Sequence, residues 1–357
     1  MFLAWNEIKS AKLRFSLIVG VLTLMSYLVF LLSGLANGMA TLNREAVDQW
    51  RASAIILSQD ASSSLAQSTV TLHDASGISG KQTAEIAQIL ATIRKSGTNH
   101  KESAVIMGVQ KGQFIAPKVT EGRMFNRVNE TVVADSLKAN GLKLGDQLSI
   151  SSSAQKLMIV GFTHNAEFNL SPVVYTSIAA VQKIKYGSAD LSGKGLIGGI
   201  VVRDPNVDRI KVGSKLQVIP IESFIENIPG YTPEKITFEF MIYFLFVIVC
   251  VTIGIFLYVL TIHKTSIFGI LKAQGISSGF LIRSVIAQTF LLAVFGVLAG
   301  FLFTVITGFF LPAAAPITLN YPILVFYGCI FILVAMIGSL FSVQTIVRID
   351  PLKAIGG

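Results

Sequence analysis

The chain has 357 residues, room for one to three domains at about 150 residues each. Hydrophobic residues make up 52% and charged residues only 14%, against roughly 25% charged in soluble globular proteins. An ordinary cytosolic enzyme and a disordered chain are therefore excluded. The net charge of +9 would ordinarily raise nucleic acid as a partner. The basic residues outside 41–236 instead sit where membrane topology would put them, so no nucleic-acid partner is expected. Cys250 and Cys329 both lie in apolar runs, which excludes a disulfide framework and a cysteine-built zinc site.

In chain order, residues 1–14 place Leu3, Trp5, Ile8 and Leu13 among Lys9, Lys12 and Arg14. That pattern predicts a basic amphipathic helix lying on the inner membrane interface, with membrane lipid as a partner. Residues 15–40 form the first predicted span, since about 20 apolar residues cross a bilayer as a helix. Residues 41–236 hold 21 of the 29 basic and 17 of the 20 acidic residues, a polar insert long enough to bury its own core. Strands are predicted at Ala54–Leu57, Ser103–Val109, Thr131–Val133, Gln147–Ser151, Leu157–Phe162, Gly198–Val202 and Leu216–Pro220. Helices are predicted at Gln82–Lys95 and Ser177–Lys183. The segment Asp60–Ser68 reads as a solvated loop. Further spans are predicted at 237–262, 280–311 and 321–347, with a short outer loop at 312–320 and a tail at 348–357.

The eight basic residues outside 41–236 flank the start of the first span, the segment 263–279 and the end of the fourth span. The positive-inside rule then puts both termini and 263–279 in the cytoplasm. The expected fold class is a membrane protein, α-helical, with four transmembrane helices in a 1+3 arrangement. A large extracellular α+β domain stands between helices 1 and 2.

Several motifs fail on inspection. Gly187–Gly195 looks like a phosphate loop, but it has one residue too many between its glycines and lacks the Ser/Thr after the lysine. The four histidines are scattered, without the clustering of a metal site. No nucleophile–base set is marked. The chain is expected to be no enzyme, with ATP hydrolysis on another chain and no intrinsic cofactor.

One residue stands out. Outside 41–236 the only acids are Glu7, Glu239 and Asp350, and Glu239 alone lies inside a predicted span. A carboxylate costs about 2.5–3.5 kcal/mol at mid-bilayer and less near the interface, so a functional partner is the default expectation. Its helical face continues through Ile242, Tyr243 and Phe246 at spacings of three and four, beside Phe238, with Tyr231 just outside the membrane. An aromatic slot with one carboxylate suits a large flat amphiphile, and carboxylate or phenolate oxygen can ligate ferric iron. Glu239 is thus the candidate haem-iron ligand, with Met39 and the deeper Met25 as sulfur candidates. The competing reading is that Glu239 snorkels to the interface or pairs with Lys235. Gly296–Gly300 is a GxxxG pattern that permits close helix approach, within the chain or between copies. Between the second and third spans, Lys264, Phe268, Gly269, Ile270, Leu271, Lys272 and Gly275 form a short helical segment suited to a groove on a cytoplasmic partner.

At this point the sequence resembles a known family. Phe268–Ser277 (FGILKAQGIS) is similar to the coupling segment of FtsX-like, MacB-type ABC transporter permeases. Arg348–Gly357 (RIDPLKAIGG) resembles their terminal segment, and Thr131–Ile150 with Lys156–Phe162 resembles their outer core domain. Ile267 stands where members often carry an acidic residue. The N-terminal sequence and the short length look most like the haem-exporting members of Gram-positive bacteria. The resemblance implies a permease homodimer in the cell membrane, paired with a separate cytoplasmic ABC ATPase subunit as a 2+2 complex, with haem as the transported substrate. Rival readings are a mechanotransmitter acting on an extracellular protein partner, or an exporter of peptides, lipoproteins or other amphiphiles.

Overall fold

The computed structural model describes residues 12–347, apart from 72, 75–77, 79–81, 98, 100, 152, 188–194 and 313–314. Most of the 1–14 segment, the core of the phosphate-loop look-alike and the whole 348–357 tail lie outside the described residues. The chain divides into two units, one of Met1–Gly38 with Lys235–Gly357 and one of Met39–Glu234.

The first unit is helical. Helix α1 spans Lys12–Asp48, and four more follow the insert: α4 (Tyr231–His263), α5 (Thr265–Ala273), α6 (Ser278–Phe310) and α7 (Tyr321–Val347). Four of these, α1, α4, α6 and α7, are long and apolar enough to cross a membrane. They pack through an apolar core that includes Phe15, Leu22, Phe30, Phe246, Ile253, Val297 and Phe331.

The GxxxG pattern is used inside the chain. A Cβ on Gly296 would stand 2.6 Å from the Leu22 Cβ, and one on Gly300 would stand 2.9 Å from the Tyr27 backbone nitrogen. Bare glycine lets α6 and α1 approach closely enough for Ser26 Oγ to donate to the Gly296 carbonyl at 3.1 Å. Tyr27 and Thr307 share a 2.8 Å hydroxyl contact between the same two helices. Gly38 does the same for the 312–320 loop, since a Cβ there would meet the Pro316 carbonyl oxygen at 2.2 Å. The Thr318 amide in turn donates to the Gly34 carbonyl at 3.0 Å.

The second unit is built on a mixed sheet. Its path runs β13 (Leu216–Pro220), β1 (Ala54–Ser58), β12 (Gly199–Arg203), β3 (Gln82–Lys95), β4 (Lys101–Val109), β10 (Ser171–Thr176), β6 (Glu130–Ala134), β8 (Ser153–Thr163) and β5 (Val119–Gly122). Strand β7 (Gln147–Ile150) joins β3 to β8, and β9 (Glu167–Phe168) pairs with β10. The β10–β4 and β6–β8 pairs are parallel, while β3–β4 and the pairs around β1 are antiparallel. Both faces are covered, so the period-two alternation divides each strand between two cores. Ile55, Leu57, Val105, Met107, Val132 and Tyr175 point into one, with Trp50, Phe224 and Tyr231. Ile56, Ile106, Val133 and Val174 point into the other, with Ile178, Val181 and Ile184 of helix α2 (Ile178–Tyr186). Ser177 caps α2 by accepting from the Ala180 amide.

Two expectations are corrected here. Gln82–Lys95 is not a helix but the 14-residue strand β3. Its apolar residues Ile86, Ile89, Leu90 and Ile93 recur at helical spacing. Pairing with all of β4 on one edge and β12 on the other overrides that pattern. Leu90 is accordingly left exposed. Asp60–Ser68 is not a plain solvated loop either. Leu65 is buried in the core, and Ser68, fully buried, accepts from the Ser58 amide at 2.9 Å.

Helices α1 and α4 also run past their expected outer limits, to Asp48 and from Tyr231. Polar groups inside the second unit hold these turns. Arg44 bonds Asp48 and Glu222 at 2.9 Å each, and Asn43 Nδ2 donates to Glu234 at 3.2 Å.

Candidate functional site

Helix α4 carries the membrane carboxylate. Glu239, Tyr243 and Phe246 fall at i, i+4 and i+7 and so share one face. Phe246 is buried at the floor of that face, while Glu239 and Tyr243 are exposed toward the surroundings of the helices. Phe240 and Phe244, one turn apart with ring centroids at 5.0 Å, add an exposed aromatic pair beside them. Among the described residues no ion pair engages Glu239, so Lys235 does not neutralise it. The helix thus presents an exposed carboxylate without a salt partner among the described residues, beside an exposed aromatic pair.

Sequence reading missed a residue on the opposite wall. Tyr327 of α7 packs its ring against Phe246 at 6.0 Å and lies within electrostatic range of both Glu239 and Tyr243. The ring of its chain neighbour Phe326 lies tilted beside it, also at 6.0 Å. Tyr327 sits in a uniformly apolar span whose periodicity says nothing about its neighbour. Its hydroxyl was the one available signal.

The other sequence candidates are spread more widely. Phe238 is half-buried on α4. Met25 is half-buried and packs into the core of the helical unit. Met39 is half-buried in the second unit, where its carbonyl accepts from Asn43. Tyr231 does not stand free at a mouth. It is 6% exposed, in the apolar core of the second unit. A tyrosine at the start of a helix gave no sign that the sheet domain would enclose it.

The 263–279 segment forms an elbow. Thr265–Ala273 is helical, and Gly275 takes φ +89°, the left-handed conformation that lets the chain turn into Ser277, the N-cap of α6. Phe268 is buried against Leu281 and Val285 of α6, whereas Ile267 and Ile270 are exposed at i and i+3. Lys264 lies over the Phe15 ring at 5.7 Å.

Comparison with known proteins gives the wider context. The chain is 27% identical over 357 residues to a Staphylococcus haemolyticus protein named hemin transport system permease protein HrtB, covering 100% of this chain and 99% of that one. A Staphylococcus epidermidis protein of the same name is 27% identical over 358 residues with the same coverage. An uncharacterized ABC transporter permease of Mycobacterium tuberculosis is 22% identical over 368 residues, again end to end. The chain is an ABC transporter permease. No family model matches it. Among solved structures, the extracellular domain of the noncanonic ABC-type transporter YknZ from Gram-positive bacteria aligns with 47% of the chain and 99% of that domain, at 14% identity and a TM-score of 0.33.

A permease of an ABC system is not itself an enzyme; its energy comes from an ATPase partner. In this permease the α5 elbow has two kinds of apolar side chain. Two aliphatic side chains are offered outward, and one aromatic side chain is clamped to a membrane helix.

Proposed function

We propose that this permease exports haem from the membrane, driven by a separate ATPase of the HrtA type in a 2+2 complex with a permease homodimer. It stands in the cell membrane of a Gram-positive bacterium, with both termini and α5 in the cytoplasm and the sheet domain outside. The observation that carries the reading is the unneutralised Glu239 on an aromatic, lipid-facing strip of α4, in a chain aligned end to end with staphylococcal relatives named for hemin transport. The flat apolar porphyrin enters sideways from the lipid and packs on Tyr243, Phe246 and Phe240. The Glu239 carboxylate is the oxygen ligand that meets the positive charge of ferric iron, with Met25 of the same helical unit the sulfur candidate. ATP-driven closure of the partner pushes on Ile267 and Ile270. Phe268 passes that push to α6, and the rearranged helices release haem outward.

The test is haem tolerance of cells expressing the permease with its ATPase, comparing wild type with Glu239→Ala at equal membrane levels. The variant is expected to lose protection while still assembling with the ATPase. Equal tolerance would remove Glu239 from the reading.

A further inference from the structure

One carboxylate of the second unit is buried without a counter-charge. Glu167 of β9 is 8% exposed, and among the described residues no ion pair engages it. Its carboxylate accepts a hydrogen bond from the Ser136 hydroxyl. A buried carboxyl group is ordinarily paired with a cation or keeps its proton. The cations beside its neighbours are engaged elsewhere. Arg44, next to Glu45, is held by Asp48 and Glu222, and Lys138, near Ser136, is held by Glu121. His164 is held by Asp135. The titratable groups that act on Glu167 are acidic or neutral: Glu45 of α1, Glu102 of β4 and the buried Tyr175 of β10. Burial, with Glu45 and Glu102 nearby, pushes Glu167 up to about 7, against the Ser136 hydrogen bond.

The same residue belongs to a clamp on a helix. The turn from β9 to β10 lays three backbone amides on the last turns of α1. The Glu167 amide donates to the Glu45 carboxylate at 3.1 Å, the Asn169 amide to the Asn43 carbonyl at 3.0 Å and the Leu170 amide to the Leu42 carbonyl at 3.3 Å. Asn169 and Leu170 take φ of +50° and +57°, a conformation that a bulky residue such as leucine rarely adopts. The turn is therefore held in a shape it would leave if those bonds weakened. Its root is firm, since Phe168 is buried and stacks on Phe224 of helix α3 (Ile221–Glu226) at 6.4 Å.

We infer that the β9–β10 turn is a proton-operated latch on the last turns of α1, closed while Glu167 keeps its proton and loosened when Glu45 and Glu167 are both charged. The sign follows from burial. A carboxyl group that keeps its proton longer in the closed form favours closure at low pH, and that advantage is lost as pH rises toward about 7. Helix α1 is continuous from Lys12 to Asp48. The protonation of one side chain in the sheet domain thus bears on a helix that is long and apolar enough to cross the membrane. The latch is independent of what the permease carries.

The experiment is hydrogen exchange on the full-length permease in nanodiscs at pH 5 and pH 8, corrected for the intrinsic base-catalysed rate. The reporters are the Glu167, Asn169 and Leu170 amides, read against those of β3 and β4, in wild type, Glu167→Gln and Glu45→Gln. Wild type is expected to lose protection at the three latch amides by roughly tenfold or more between pH 5 and pH 8. The β3 and β4 amides are expected to stay unlabelled over the same times. Glu167→Gln, neutral at both pH values, is expected to keep its protection. Glu45→Gln, which removes the repelling charge, is expected to show a smaller fall than wild type. Equal wild-type protection at both pH values overturns the inference. A fall as large in both variants as in wild type also overturns it, by moving the titration to the His164–Asp135 pair. Exchange of the latch amides only in step with β3 and β4 overturns it as well, since that is global unfolding and not the opening of a latch.

Discussion

At the scale of single residues, the sheet domain holds two carboxylates whose environments push them in opposite directions. Burial, with Glu45 and Glu102 nearby, raises Glu167 to about 7, against a lowering hydrogen bond from Ser136. Arg123, through a 2.7 Å bond, and the Asn126 and Arg127 amides hold Glu130 down to about 2. A group raised in the folded state keeps its proton while the unfolded chain loses it. Stability therefore falls as pH rises from about 4.5 through about 7 on account of Glu167. A group lowered in the folded state acts in reverse, so Glu130 stabilises above about 4.5 and loses that effect as pH falls toward 2. Denaturation followed by Trp50 fluorescence in a Trp5→Phe background should show stability declining between pH 5 and pH 8. Glu167→Gln should flatten that decline and gain on the order of 2–3 kcal/mol at pH 8. A pH-independent wild type would refute the assignment. Arg123→Ala should lower stability at pH 7, because it leaves the Glu130 carboxylate with only the Asn126 and Arg127 amides. None of this was legible in the sequence, where Glu130 and Glu167 are two of many acids in a polar stretch. Glu239 was legible because its surroundings are uniformly apolar, so one carboxylate is an anomaly.

At the scale of elements, the helices were easier to read than the sheet. Long apolar runs admit one solution in lipid, and their number and order follow from hydropathy. Strand β3 did not follow, because its 3.6-residue apolar spacing is a local pattern while its pairing partners are distant in sequence. The GxxxG motif announced close packing but not its partner, and α1 supplies that partner through Leu22, Ser26 and Tyr27. Gly300→Ala should therefore destabilise the helical unit by about 1–3 kcal/mol, since the backbone of Tyr27 cannot move aside as a side chain would. Gly20→Ala has nothing within 4 Å of the new methyl and should be neutral or slightly stabilising. Thermal unfolding of both variants in detergent checks the pair. Equal melting temperatures would mean that α1 and α6 are not packed on these glycines.

At the scale of the whole molecule, charge placement supports the proposed orientation. Outside residues 41–236 the lysines and arginines flank the spans on one side only, and the 312–320 loop carries no charge. With Cys250 and Cys329 replaced by alanine, a membrane-impermeant maleimide should label Lys111→Cys in intact cells and Gln274→Cys only after permeabilisation. The opposite pattern would invert the topology and with it the direction of export. The substrate was legible only through the combination of a carboxylate, aromatic rings and resemblance. Tyr327, on a separate span, became visible only once α7 was packed on α4.

The central claim is ATP-driven removal of haem from lipid, and it can be measured directly. The permease–ATPase complex is reconstituted into haem-loaded proteoliposomes, and transfer of haem to apomyoglobin in the outer solution is followed by absorption. Wild type with ATP should transfer haem faster than without it, and Glu239→Ala should show no ATP-dependent component while still hydrolysing ATP. Transfer that is the same with and without ATP, in a complex that hydrolyses ATP normally, would contradict haem export and turn attention to a protein or peptide substrate.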